Sequence, residues 1–143
     1  MWQRIQTLYL IISTGLAASL FFCNIAEIIG PEGDCISIRY YEKSSYLVLM
    51  IMILAAQICA IFSYKSWILQ ARVSMIAALL LAGFQIWLGI DFIRLRNDMI
   101  FNITGVFPIA CTILNVLAAR AAMVDEMTLA AVKSVRKIRK RKA

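Results

Sequence analysis

The chain has 143 residues, of which 62% are hydrophobic and 16% charged, with a net charge of +7 and a mean hydropathy of +0.81. Soluble domains are usually roughly 45–50% apolar and about 25% charged, so this much apolar surface points to a membrane protein. Histidine is absent, which excludes imidazole catalysis and histidine metal ligation, and the four cysteines at 23, 35, 59 and 111 include no C-x-x-C pair. Neither a zinc site nor any other cofactor is expected.

Met1–Thr7 reads as a short amphipathic lead, with Trp2 suited to a membrane interface and Arg4 to its cytoplasmic side. The first apolar run, residues 8–29, is long enough to cross a hydrocarbon core of about 30 Å at 1.5 Å per residue. It exceeds the apolar region of a signal peptide, and Phe22 occupies the position where a lipoprotein cleavage box needs a small residue, so the helix is expected to stay uncleaved. Gly30-Pro31-Glu32-Gly33-Asp34 is a dense turn signal. In Cys35–Tyr41, Ile36 and Ile38 alternate with Ser37 and Arg39, which predicts a short strand or extended loop on the membrane surface.

Further spans are predicted at residues 46–64, bracketed by Tyr46 and Tyr64, at 73–93 after a tight connection, and at 104–122. Asp91, Arg94, Arg96 and Asp98 mark the exit of the third span, and Pro108 suits the first turn of the fourth. The fold class expected is an all-α, antiparallel bundle of four transmembrane helices (residues 1–123) with a basic, amphipathic cytoplasmic tail (residues 124–143). With both termini inside, Arg4, Lys65, Arg72, Arg120 and seven tail charges lie in the cytoplasm, against Arg39, Lys43, Arg94 and Arg96 outside. The positive-inside rule favours that arrangement. A Cys23–Cys35 disulfide needs an oxidising compartment and Cα atoms within about 7 Å; free thiols are the expectation.

The candidate site residues are of two kinds. Gln57, Gln85 and Asn115 lie inside the predicted spans, where an amide must find a partner, and are expected to face the bundle as contacts between helices. A polar pore or substrate contact is the sharper alternative. Glu27 and Asp91 fall near the outer ends of their spans, where pairing with Arg39 or Arg94, or solvation, is expected. In the tail, Val124, Met127, Ala131, Val135 and Ile138 recur at helical spacing. Lys133, Arg136, Lys137, Arg139, Lys140, Arg141 and Lys142 then present charge to anionic lipid headgroups, or serve only as a topogenic tail, with nucleic acid well behind both.

Two stretches carry a resemblance: the opening Met1-Trp2-Gln3-Arg4-Ile5-Gln6-Thr7-Leu8-Tyr9-Leu10, and Phe107-Pro108-Ile109 with Leu114-Asn115-Val116-Leu117-Ala118, Ala119-Arg120-Ala121 and Asp125-Glu126. They resemble a small Bacteroidota family of four-span membrane proteins catalogued only as a domain of unknown function. That resemblance implies four helices in an inner membrane and supplies no activity or catalytic residue. The expected function is a non-enzymatic accessory or scaffold protein acting through lateral contacts, with a membrane-protein partner or a second copy of itself, and through its tail. The alternative is a small transporter or channel subunit. No catalytic residue is expected, since a Ser or Thr nucleophile here lacks an evident base.

Overall fold

A computed structural model describes residues 3–97 and 99–142. The expectations placed on Trp2 and Asp98 fall outside these residues, as does the side chain of Arg4. Among the described residues, four helices are long and apolar enough to cross a membrane. They are α1 (Gln3–Ser19), α2 (Ser44–Phe62), α3 (Trp67–Leu95) and α4 (Phe107–Lys142). A helix closes all its backbone hydrogen bonds within one segment, which is why long apolar runs settle into this form. Pro108 is the second residue of α4 and is buried there; its missing N–H falls in the first turn, where no intrahelical acceptor is available.

The first span departs from expectation. Helix α1 ends at Ser19, a 3-10 turn covers Leu20–Phe22, and Asn24–Ile29 forms strand β1. Strand β2 (Cys35–Arg39) and the short β3 (Ile100–Phe101) flank it in a three-stranded sheet of order β2-β1-β3. Both neighbours run antiparallel to β1, with Ile29 opposite Cys35, Glu27 opposite Ser37 and Ala26 opposite Phe101. Sheet pairing gives Asn24 and Glu27 a polar, half-buried environment, whereas a helix over 8–29 carries both into hydrocarbon. The helix instead begins earlier, at Gln3, and spans 17 residues. At the turn, Gly30 N–H donates to Asp34 O at 2.9 Å, and Gly33 takes φ +84°, which only glycine adopts without strain.

The other boundaries shift less. Helix α3 starts at Trp67 rather than at 73, absorbing the predicted connection, and a 3-10 turn at Ile103–Val106 precedes α4. The largest difference is in α4, which runs unbroken for 36 residues through the expected boundary at 123/124, about 54 Å in all. Each helix packs against two neighbours: α1 and α3 each touch α2 and α4. One end of this four-sided bundle carries the sheet, where an apolar core gathers Leu20, Ile25, Tyr40, Tyr46, Phe84 and Leu88. The other end carries both chain termini. Large apolar side chains such as Leu79, Ile93 and Ile86 point outward all along the helices.

Candidate functional site

A polar seam crosses the middle of the bundle. Its members are buried: Ser13 on α1, Gln57 on α2, Ser74 on α3, and Cys111 and Asn115 one turn apart on α4. Gln57 Nε2 donates to Ser13 Oγ at 2.9 Å, and Ser13 Oγ donates to the Cys111 carbonyl at 3.3 Å. The Cys111 thiol reaches back to the Ser13 carbonyl at 3.5 Å. Ser74 Oγ donates to the Asn115 carbonyl at 2.8 Å. One set of contacts therefore ties α2 to α1 and α1 to α4, and another ties α3 to α4.

Of the three amides singled out in the sequence, Gln57 and Asn115 are fully buried and Gln85 is half-buried. Among the described residues no hydrogen bond joins any two of them. Gln57 Oε1, Gln85 Oε1 and both amide atoms of Asn115 are buried without a partner. Ser13 and Ser74 supply the contacts instead. Their hydroxyls are compatible with an apolar helix and gave no separate sequence signal. Gln6 and Gln70, further along towards the termini, are also buried, and Gln6 Nε2 donates to Asp125 across α1 and α4.

A second polar group sits at the sheet end. Asp91 pairs with neither Arg39 nor Arg94, as the sequence suggested, but with Lys43, whose Nζ lies 2.6 Å from Asp91 Oδ2. The Tyr46 hydroxyl also donates to Asp91. Lys43 and Tyr46 are three residues apart at the start of α2, which sets both against Asp91 near the end of α3. Lys43 Nζ also lies over the Tyr46 ring, 4.9 Å from its centroid. These residues line a pocket of about 310 Å³ together with Glu42 and an apolar wall that includes Ile25, Ile38, Met99 and Phe101. Tyr40 caps the core next to it, where burial pushes its phenol pKa up, opposed by the Thr104 hydroxyl.

Glu27 is half-buried in β1. All four cysteines are free. Cys23 precedes Asn24, which pairs with Arg39, whereas Cys35 pairs with Ile29. The two thiols thus lie at opposite ends of the hairpin, about 20 Å apart along the strand. The seven basic tail residues all project from α4 and are exposed. Among the described residues, no three His, Cys, Asp or Glu side chains come together as metal ligands.

A family model described as Domain of unknown function (DUF4293) matches residues 2–135. No curated protein and no solved structure matches the chain.

Proposed function

Since the chain belongs to the family described as a domain of unknown function (DUF4293), which brings no activity with it, we propose a role from the geometry: a non-enzymatic accessory or scaffold protein of a bacterial inner membrane. On this reading the four helices form an antiparallel transmembrane bundle with the sheet outside and both termini in the cytoplasm. The Lys and Arg distribution supports that orientation. The observation that carries the scaffold role is α4 itself. It leaves the bundle without a break, and from Met127 to Lys142 every residue is exposed and no acid occurs. Such an arm, with Val135 and Ile138 on one face and seven cations around them, suits anionic lipid headgroups or the surface of a partner protein.

The test is co-purification in mild detergent of the full chain and of a form ending at Glu126. A stoichiometric membrane-protein partner retained by the first and lost by the second supports the arm as a docking element. A partner-free protein that moves a solute across reconstituted vesicles replaces this reading with the second one, a small transporter or channel subunit. That second reading draws on Asn115, whose buried amide has no partner among the described residues to hold helices together.

A further inference from the structure

Near the end of the bundle that carries the termini, α1 and α4 leave a groove of about 650 Å³ between them. Its wall changes character along the axis. Leu117 and Tyr9 line the part nearest the middle of the bundle; Arg120, Ala121 and Val124 follow; Ile5, Asp125 and Thr128 line the part furthest out. The depth of α1 against α4 is set by Ser13 meeting Cys111 and by Gln6 meeting Asp125, so Tyr9 sits between these two levels. The groove thus runs from an apolar floor to a mouth where one cation and one anion sit beside Ile5 and Val124.

Arg120 is exposed and makes no ion pair among the described residues. Asp125 receives Gln6 Nε2 on one oxygen, and a carboxylate retains further acceptor positions beyond that bond. Thr128 donates its hydroxyl hydrogen to the Val124 carbonyl at 2.9 Å, which leaves its oxygen free to accept. A guanidinium suits a phosphate, and a carboxylate beside a hydroxyl acceptor suits a primary ammonium with its three N–H donors. One amphiphile carries both groups at the spacing of neighbouring side chains, above an acyl chain.

We propose that this groove binds a zwitterionic aminophospholipid, with its phosphate on Arg120, its primary ammonium on Asp125 and Thr128, and an acyl chain along Tyr9 and Leu117. The charge complementarity selects this occupant. A purely anionic headgroup leaves Asp125 facing a negative charge, and a quaternary ammonium has no N–H to donate. The site is separate from the tail, whose cations lie beyond residue 132 and answer to net negative charge. The proposal rests on the reading that α1 and α4 cross the bilayer.

Native mass spectrometry of the full chain, stripped of lipid in detergent and given back one lipid at a time, tests it. Phosphatidylethanolamine should bind about tenfold tighter than phosphatidylcholine or phosphatidylglycerol of the same chains, the size of one charge-assisted hydrogen bond. Asp125→Asn should remove that preference, and Arg120→Gln should weaken all three lipids alike, since each carries the phosphate. Both positions lie near the protein surface, and retained helicity checks that the variants fold. Equal binding of the three lipids, a preference that survives Asp125→Asn, or binding unchanged by Arg120→Gln overturns the proposal. A protein that fails to fractionate with membranes overturns the membrane reading itself, whereas a membrane-inserted protein without headgroup preference overturns only the groove.

Discussion

Asn115 and Gln57 occupy the same buried seam and differ in what their amides do. Gln57 donates across to Ser13, while the Asn115 side chain donates and accepts nothing among the described residues. Its backbone carbonyl, not its side chain, meets Ser74. Gln57→Leu should therefore lose one interhelical hydrogen bond, about 0.6 kcal/mol and at most roughly 1.7 kcal/mol. Asn115→Leu loses no such bond and should cost less than Gln57→Leu, read from reversible unfolding in mixed micelles. A larger loss for Asn115→Leu means that its amide holds a ligand or water. Tyr40 gives a pH dependence. Its folded pKa is raised from 10.0 by burial, so its contribution is present below about pH 10 and is lost as the pH rises beyond it. Tyr40→Phe should accordingly flatten the alkaline loss of thermal stability between pH 9 and 11, about one unit either side of the ordinary phenol value. An unchanged alkaline slope assigns that loss to other groups.

At the scale of elements, the hairpin depends on its turn. Gly33 has φ +84°, and a side chain there costs roughly 1–2 kcal/mol. Gly33→Val should lower stability by about that amount without lowering helicity, measured by circular dichroism together with unfolding. Gly15, in α1, has open space around it and ordinary backbone angles, so Gly15→Ala is the matched control and should be neutral or stabilising. The tail is an element of a different kind. Beyond Glu126 every described residue of α4 is exposed; Leu129, Ala130 and Lys133 line a shallow pocket with the start of α3, and Thr128 lines the groove against α1. A peptide of residues 124–138 should be disordered in buffer, because isolated helices of this length are marginal. It should turn helical on anionic vesicles and release with salt. Equal helicity on neutral vesicles removes the electrostatic part of this expectation.

For the whole molecule, the sheet and the two termini occupy opposite ends of the bundle, so they lie on opposite sides of any membrane the bundle crosses. Cys35 is exposed in β2 at the sheet end. In a variant whose other cysteines are replaced, an impermeant thiol reagent should label Cys35 from the outside of sealed spheroplasts. A cysteine added after Ala143 should be labelled only after the membrane is opened. Labelling of the added cysteine in sealed spheroplasts reverses the proposed orientation. The arrangement also splits the interior: the aromatic trio Tyr40, Tyr46 and Phe84 closes the sheet end, with the Tyr46 and Phe84 rings edge to face at 5.5 Å. Buried Gln6 and Gln70 lie towards the termini.

Four apolar runs, the turn at Gly30–Asp34, extended backbone (strand or loop) from Cys35 and the helical tail follow from local pattern alone. Each depends on hydropathy, glycine and proline placement or periodicity within about a dozen neighbouring residues. The fate of residues 24–29 was different. As an apolar run they continue the first helix; they become a strand because β2 and β3 supply partners on both edges, the second from some 75 residues away at Ile100 and Phe101. Partner choice was beyond reach for the same reason. Asp91 had arginines close by in sequence, yet Lys43 and Tyr46, 48 and 45 residues away, are what the packing of α2 on α3 delivers. Gln57 takes a serine 44 residues away, and Asn115 takes no side-chain partner, although both amides carry the same local signal. Composition and periodicity decide that a segment is a helix and that its polar side chains must turn inward. Which of those side chains meet depends on the rotation and depth of each helix against its neighbours, and only the packed structure sets these.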